Sequence, residues 1–313
     1  MKHTVKITLI LLTMFFIAQL VGIFVASVYQ PEFVVNETTG EETPVYDLPY
    51  GLEPPADVNP QTSVFSIVLA LIIAVVIMLT LMKFKAETFL RLWFLLVVIL
   101  GIAIALNAFI IELPYHAIAA LAIAVPLGVL KIFQRNIIVH NATELLIYPG
   151  IASVFIPLLN IWAVVILLAI ISVYDMYAVW QAGFMQKMAK YQIEKLKIFS
   201  GFFVPYAKGA EKELIKQSNV AKARKTKGKK TKERGVNVAI LGGGDVVFPI
   251  LLAGTVLWTW GLMQALIIAV GATAALAYLF YKSEKGKFYP AMPFISVGCL
   301  IALGVAWAVT FLI

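Results

Sequence analysis

The chain has 313 residues, 61% of them hydrophobic and only 13% charged, with a net charge of +8 and a mean hydropathy of +0.92. A soluble domain is nearer half apolar and a quarter charged, so the composition excludes one. Cys299 is the sole cysteine, and His3, His116 and His140 form no HExxH pair, which argues against an internal disulfide, a cysteine metal cluster and a zinc protease.

Runs of about 20 apolar residues recur along the chain, too long and continuous for barrel strands, so the spans are helices of a polytopic membrane protein. The first, about 5–29, is longer than the apolar core of a signal peptide and reads as a retained span. An acidic, proline-bearing segment follows at about 30–62, expected as a loosely ordered hairpin or strand, with a glycosylation sequon at Asn36-Glu37-Thr38. Further spans are expected at about 63–82, 92–111, 115–133, 142–158 and 161–182, then at 237–259, 262–281 and 290–312. The fifth is short, holds Pro149, Gly150 and Pro157, and begins with the polar stretch HNATE.

Charge requires that fifth span. With the N-terminus cytoplasmic, every lysine and arginine falls on cytoplasmic segments or span ends, from Lys2 and Lys6 to Lys282, Lys285 and Lys287. The opposite side has none, and its longest loop carries seven acids from Glu32 to Asp57. Such asymmetry is a positive-inside pattern. It makes the chain cross out and back between Arg135 and Lys187, giving nine helices with the C-terminus outside. The expected fold is an all-α polytopic membrane protein, one membrane domain in three parts. Residues 1–205 hold six spans and an amphipathic extension over 183–204, residues 206–235 form a basic loop, and residues 236–313 hold three spans. The loop's low-complexity run KQSNVAKARKTKGKKTKERG reads as a disordered partner of anionic lipid. No folded module accompanies the charge to suggest nucleic-acid binding.

Two carboxylates lie well inside spans, Asp175 in ISVYDMYAVW and Asp245 in LGGGDVVFP. Glu112 and Glu144 read as boundary residues within reach of headgroups. Counting helical rise, both aspartates lie about 10–12 Å below the cytoplasmic surface, so they are natural partners for each other. Two carboxylates in close approach share a proton, and one then activates water while the other polarises a carbonyl oxygen, without metal or cofactor. Gly242, Gly243 and Gly244 permit close approach of a neighbouring helix or an extended peptide, and Pro249 loosens the helix beyond. Spacing and depth alone favour ion or proton handling by these aspartates over proteolysis.

Tyr174-Asp175 and Gly242-Gly243-Gly244-Asp245 resemble the YD and GxGD motifs of the presenilin and signal peptide peptidase intramembrane aspartyl proteases. The third family motif, PAL, falls at Pro290-Ala291-Met292-Pro293, with methionine in place of leucine. The motifs lie in family order on spans six, seven and nine. YDMYAV and the orientation resemble presenilin, and GDVVFP resembles signal peptide peptidase. The resemblance implies that Asp175 and Asp245 are the catalytic pair, that Tyr174, Gly242, Gly243 and Gly244 shape the site, and that Pro290, Ala291, Met292 and Pro293 contact substrate or position the aspartates. From the residues alone, Pro290 reads as the first residue of a helix.

The short basic loop suggests a prokaryotic, archaeal-type homologue acting without an obligate partner subunit, alone or as a homo-oligomer. The implied activity is an intramembrane endopeptidase cutting single-span helices or remnant signal peptides. The competing reading is an ion- or proton-coupled transporter or a cation leak channel on the same aspartates, which would carry an inverted repeat that the sequence lacks. A prepilin-peptidase-like protease would keep its aspartates near the cytoplasmic ends and would lack the PAL-type motif.

Overall fold

The computed structural model describes residues 5–35, 42–54, 59–84, 86–134, 136–182, 200–206, 237–284 and 289–311. Among these, nine helices are long and apolar enough to cross a membrane. In chain order they are α1 (Val5–Val28), α2 (Pro60–Lys83), α3 (Glu87–Phe109), α4 (His116–Phe133), α5 (Ile137–Phe155), α6 (Ile161–Tyr177), α7 (Gly243–Trp260), α8 (Leu262–Lys282) and α9 (Met292–Thr310). The acidic segment after α1 forms the expected hairpin, β1 (Glu32–Val35) against β2 (Glu42–Val45), antiparallel.

α1 sits at the centre, packed on α5, α7 and α8, while α8 pairs with α9 and α9 with α6. α2 stands at the periphery against α6 and α3, with Val64 its one buried residue. Small residues set the closest crossings. A Cβ on Gly150 of α5 would strike the Gly101 carbonyl of α3, and one on Gly271 of α8 would strike Ala302 of α9. Small side chains of this kind let backbones approach where lipid supplies no hydrophobic drive.

Four expectations change. α5 starts at Ile137, before the expected start at 142, capped by the Asn136 side chain on the Ile138 amide at 2.9 Å, so all of the HNATE stretch is helical. Residues 201–204, expected at the end of an amphipathic helix, instead belong to a strand, β3 (Gly201–Tyr206); residues 183–199 lie outside the described residues. Residues 237–242, expected as the first turns of the seventh span, form β4 (Asn237–Gly242), antiparallel to β3. The basic loop 206–235 lies outside the described residues except Tyr206, the last residue of β3. In α9 the proline of the first turn is Pro293, not Pro290, because the helix starts at Met292 with Ala291 as its cap.

β4 runs directly into α7, so Asp245 is the third residue of a helix that begins at Gly243. The helical-rise estimate of its depth therefore does not apply. The chain reaches Asp245 through six extended residues and only two helical ones.

Candidate active site

Asp175 lies in the last turn of α6, which continues into a π-helical turn over Ala178–Ala182. It is buried, and its Oδ2 accepts the Met292 amide at 3.1 Å, with the Ala291 amide also turned toward the carboxylate. These amides belong to the start of α9, where N–H groups lack intrahelical partners. Asp175 thus caps α9 from a different helix. One turn deeper, Ser172 Oγ donates to Ser296 Oγ at 2.8 Å and ties α6 to α9 again.

Asp245 is half-buried. Its carboxylate folds back onto the Gly242 amide, as the third residue of a helix does in a capping box. A Cβ on Gly242 would lie 3.2 Å from Asp245 Oδ2. Pro249 is four residues on and has no N–H, so the Asp245 carbonyl lacks its usual helical partner. Asp175 lies within electrostatic range of Asp245. Two like charges brought together in low dielectric favour one shared proton over two charges.

The three glycines differ in what surrounds them. A Cβ on Gly243 would meet Tyr148 Cε1 at 2.7 Å and Ser200 Oγ at 3.0 Å, whereas one on Gly244 would find only Phe248, at 3.8 Å. Gly243 is demanded by Tyr148; Gly244 opens toward space beside Asp245. Of the remaining motif residues, Ala291 and Met292 reach Asp175, Pro290 is buried behind them, and Tyr174 adjoins Asp175 with 38% of its surface exposed. Pro293 lines an apolar groove of about 750 Å³ between α8 and α9.

Beneath this site lies a polar cluster that the sequence reading assigned to the membrane boundary. Glu144 is 1% exposed rather than facing headgroups. Its Oε1 accepts from Lys131 Nζ at 2.6 Å and from the Gly201 amide at 3.2 Å. His140 Nε2 donates to the Gly201 carbonyl at 2.8 Å, leaving Nδ1 to accept from Lys131 Nζ at 3.3 Å. Asn141 makes a matched pair on β3, donating to the Phe203 carbonyl at 2.9 Å and accepting its amide at 3.0 Å. Tyr148 is buried one turn further along the same face, its ring edge-on to Phe202 at 5.8 Å. Gln19, fully buried in α1, donates to the Val246 carbonyl at 3.1 Å, next to Asp245. The sequence did carry signals for these groups: one amide in the middle of the first span, and polar residues at 140, 144 and 148, a four-residue spacing that makes one helical stripe.

Because Gly201 and Phe203 direct their backbone groups to α5, alternation along the strand gives Phe202 and Val204 the bonds to β4. In register they face Leu241 and Ala239. The N–H and C=O of Ile240 therefore point to the other edge of β4. Among the described residues no strand pairs with that edge, which leads straight to Asp245. No cluster of three or more metal-ligating side chains occurs among the described residues.

The sequence matches a family model described as "Signal-peptide peptidase, presenilin aspartyl protease" over residues 49–312. No curated protein matches it. Two solved structures of a presenilin family intramembrane aspartate protease, in C222 and P2 space groups, are similar in fold. Their TM-scores are 0.57 and 0.58 at 19% and 17% identity, covering 96% of this chain each and 99% and 96% of theirs. With its three motifs on α6, α7 and α9 and a family match over most of its length, the chain belongs to the signal peptide peptidase and presenilin family and is a multi-pass intramembrane aspartyl protease.

Proposed function

We propose that Asp175 and Asp245 are the catalytic dyad and that the protein hydrolyses peptide bonds within single transmembrane helices or remnant signal peptides. The carrying observation is the arrangement of the two carboxylates. Each is tethered by backbone amides at the start of a different helix, Asp175 to Met292 and Asp245 to Gly242, and Asp175 lies within electrostatic range of Asp245. Backbone donors hold a carboxylate in place without neutralising it, so one shared proton can serve the pair.

The ionised aspartate takes a proton from water as the water oxygen attacks the scissile carbonyl carbon. The protonated one donates to the carbonyl oxygen, giving a neutral diol. Collapse of the diol breaks the C–N bond, the departing nitrogen takes a proton, and the pair returns to one proton. A substrate helix hides its peptide bonds in its own hydrogen bonds. The open edge of β4 at Ile240 offers an unwound segment replacement partners, and Gly244 leaves room for its backbone beside Asp245.

The lysine and arginine distribution supports a cytoplasmic N-terminus, an extracytoplasmic C-terminus and a cut near the cytoplasmic side. Anionic lipid at the basic loop, and action as a single chain or homo-oligomer without an obligate partner subunit, belong to the same reading. The test is cleavage of a fluorogenic single-span substrate by detergent-purified protein beside Asp175→Asn and Asp245→Asn, with a hydroxyl-containing transition-state mimic as inhibitor. Loss in both variants and inhibition by the mimic are expected. Equal cleavage by parent and variants would overturn the dyad and turn attention to ion flux.

A further inference from the structure

We propose that His140, Asn141 and Glu144 of α5, with Lys131 of α4 behind them, are positioning residues that act as a surrogate third strand. They fix the register of the β3–β4 hairpin over Asp245 and so fix which bond of a substrate is cut. The inference rests on the protease reading above.

A two-stranded hairpin is marginal on its own, and an unpaired strand edge at membrane depth would leave its amides and carbonyls without partners. Here the inner edge of β3 is satisfied by a helix face. The Gly201 amide and carbonyl go to Glu144 and His140, and the Phe203 amide and carbonyl both go to Asn141. That is the four-group pattern a neighbouring strand would supply at two alternate residues. The next residue on this edge is Pro205, which has no amide to satisfy.

Stability alone would not require such a device. Apolar contacts could hold the strand against α5, and a buried ion pair such as Lys131–Glu144 is weak evidence of net stabilisation. Directional bonds do what apolar contacts do not, which is to forbid sliding. A slide that keeps each strand's faces must move by two residues, and moving Phe203 to the place of Gly201 would bring Pro205, which has no amide, opposite the Asn141 Oδ1 that now accepts from Phe203. The restraint passes onward, since β3 sets β4 through six facing pairs from Gly201–Gly242 to Tyr206–Asn237. β4 continues into Asp245 without a loop.

The experiment compares the full-length protein with Asn141→Leu and the milder Asn141→Asp, which keeps the acceptor for Phe203 and loses the donor. Hydrogen exchange is read on peptides spanning 200–206 and 237–245, and cut positions in a single-span substrate are mapped by product mass. Loss of two hydrogen bonds in Asn141→Leu is expected to raise hairpin exchange about tenfold. New cuts should appear two residues from the parent site, with Asn141→Asp intermediate. Unchanged hairpin exchange in both variants would overturn the proposal whether or not the enzyme cuts. So would a fall in activity with cut positions unchanged. If hairpin exchange rises as expected but no protein cuts, including the parent, the clamp stands and the protease reading fails.

Discussion

The Asp175 carboxylate on α6 accepts the Met292 backbone amide at the start of α9, at 3.1 Å. The PAL-like turn therefore meets this aspartate through its main chain, and the identity of the side chain at 292 is secondary. Met292→Leu, which restores the family residue, is a volume-conserving change that costs less than about 1.5 kcal/mol. Cleavage close to that of the parent is expected. Asp175→Asn keeps an acceptor for Met292 but loses the proton chemistry, so single-turnover cleavage should fall by at least about 10²-fold. A comparable loss in Met292→Leu, with an unchanged melting temperature, would show that the side chain itself does the work.

Tyr148 on α5 fills the space that a side chain at Gly243 would need. Gly243→Ala is expected to cost about 1–3 kcal/mol through overpacking and to displace Asp245, two residues on. Tyr148→Leu removes the ring and should recover stability and activity of Gly243→Ala in the double variant, a coupling of about 0.5–3 kcal/mol. Gly244→Ala has open space around it and should melt as the parent does. If it nevertheless cuts poorly, the space at Gly244 belongs to the substrate. Additive Tyr148 and Gly243 effects would break the claimed contact.

The spans were legible because a membrane helix writes itself in length and hydropathy, and the basic residues marked which ends lie together. The strands β3 and β4 were not. GFFVPY and NVAILG are apolar on both faces, so no alternation separates them from helix, and their pairing joins segments far apart in sequence. Pro205 and the glycine run ending at Gly244 were the local hints, one marking an edge strand and the other the switch from strand to helix. The proposed dyad stood out in the sequence as two carboxylates with no cation beside them in the same spans. Glu144 was misread because its partner, Lys131, lies on another helix, and each looked like an ordinary span-end charge.

Lys131 and Glu144 form a buried pair, 3% and 1% exposed at the side chain. Lys131→Met leaves a carboxylate buried without its counter-ion and should destabilise by about 3–5 kcal/mol. Adding Glu144→Leu removes the orphan charge and should recover most of the melting temperature, although the Gly201 amide then loses its acceptor. If Lys131→Met alone melts as the parent does, solvent reaches this pair and the burial assigned to it is wrong.

A shared proton makes a prediction about pH. Turnover needs one protonated and one ionised carboxylate, so acid removes the base by protonating both, and alkali removes the acid by ionising both. The plot of kcat/KM should therefore be bell-shaped, with limbs that belong to the Asp175–Asp245 pair rather than to either residue. Replacing either aspartate by asparagine should abolish the curve rather than shift one limb, because neither role survives alone. The measurement is initial cleavage rate at subsaturating substrate across about pH 4–9, with folding followed in parallel, since the pH dependence of kcat/KM reports the acid and base of the free enzyme. A rate that rises to a plateau and stays there while the protein remains folded would mean that one carboxylate suffices, and the shared-proton mechanism would have to be given up.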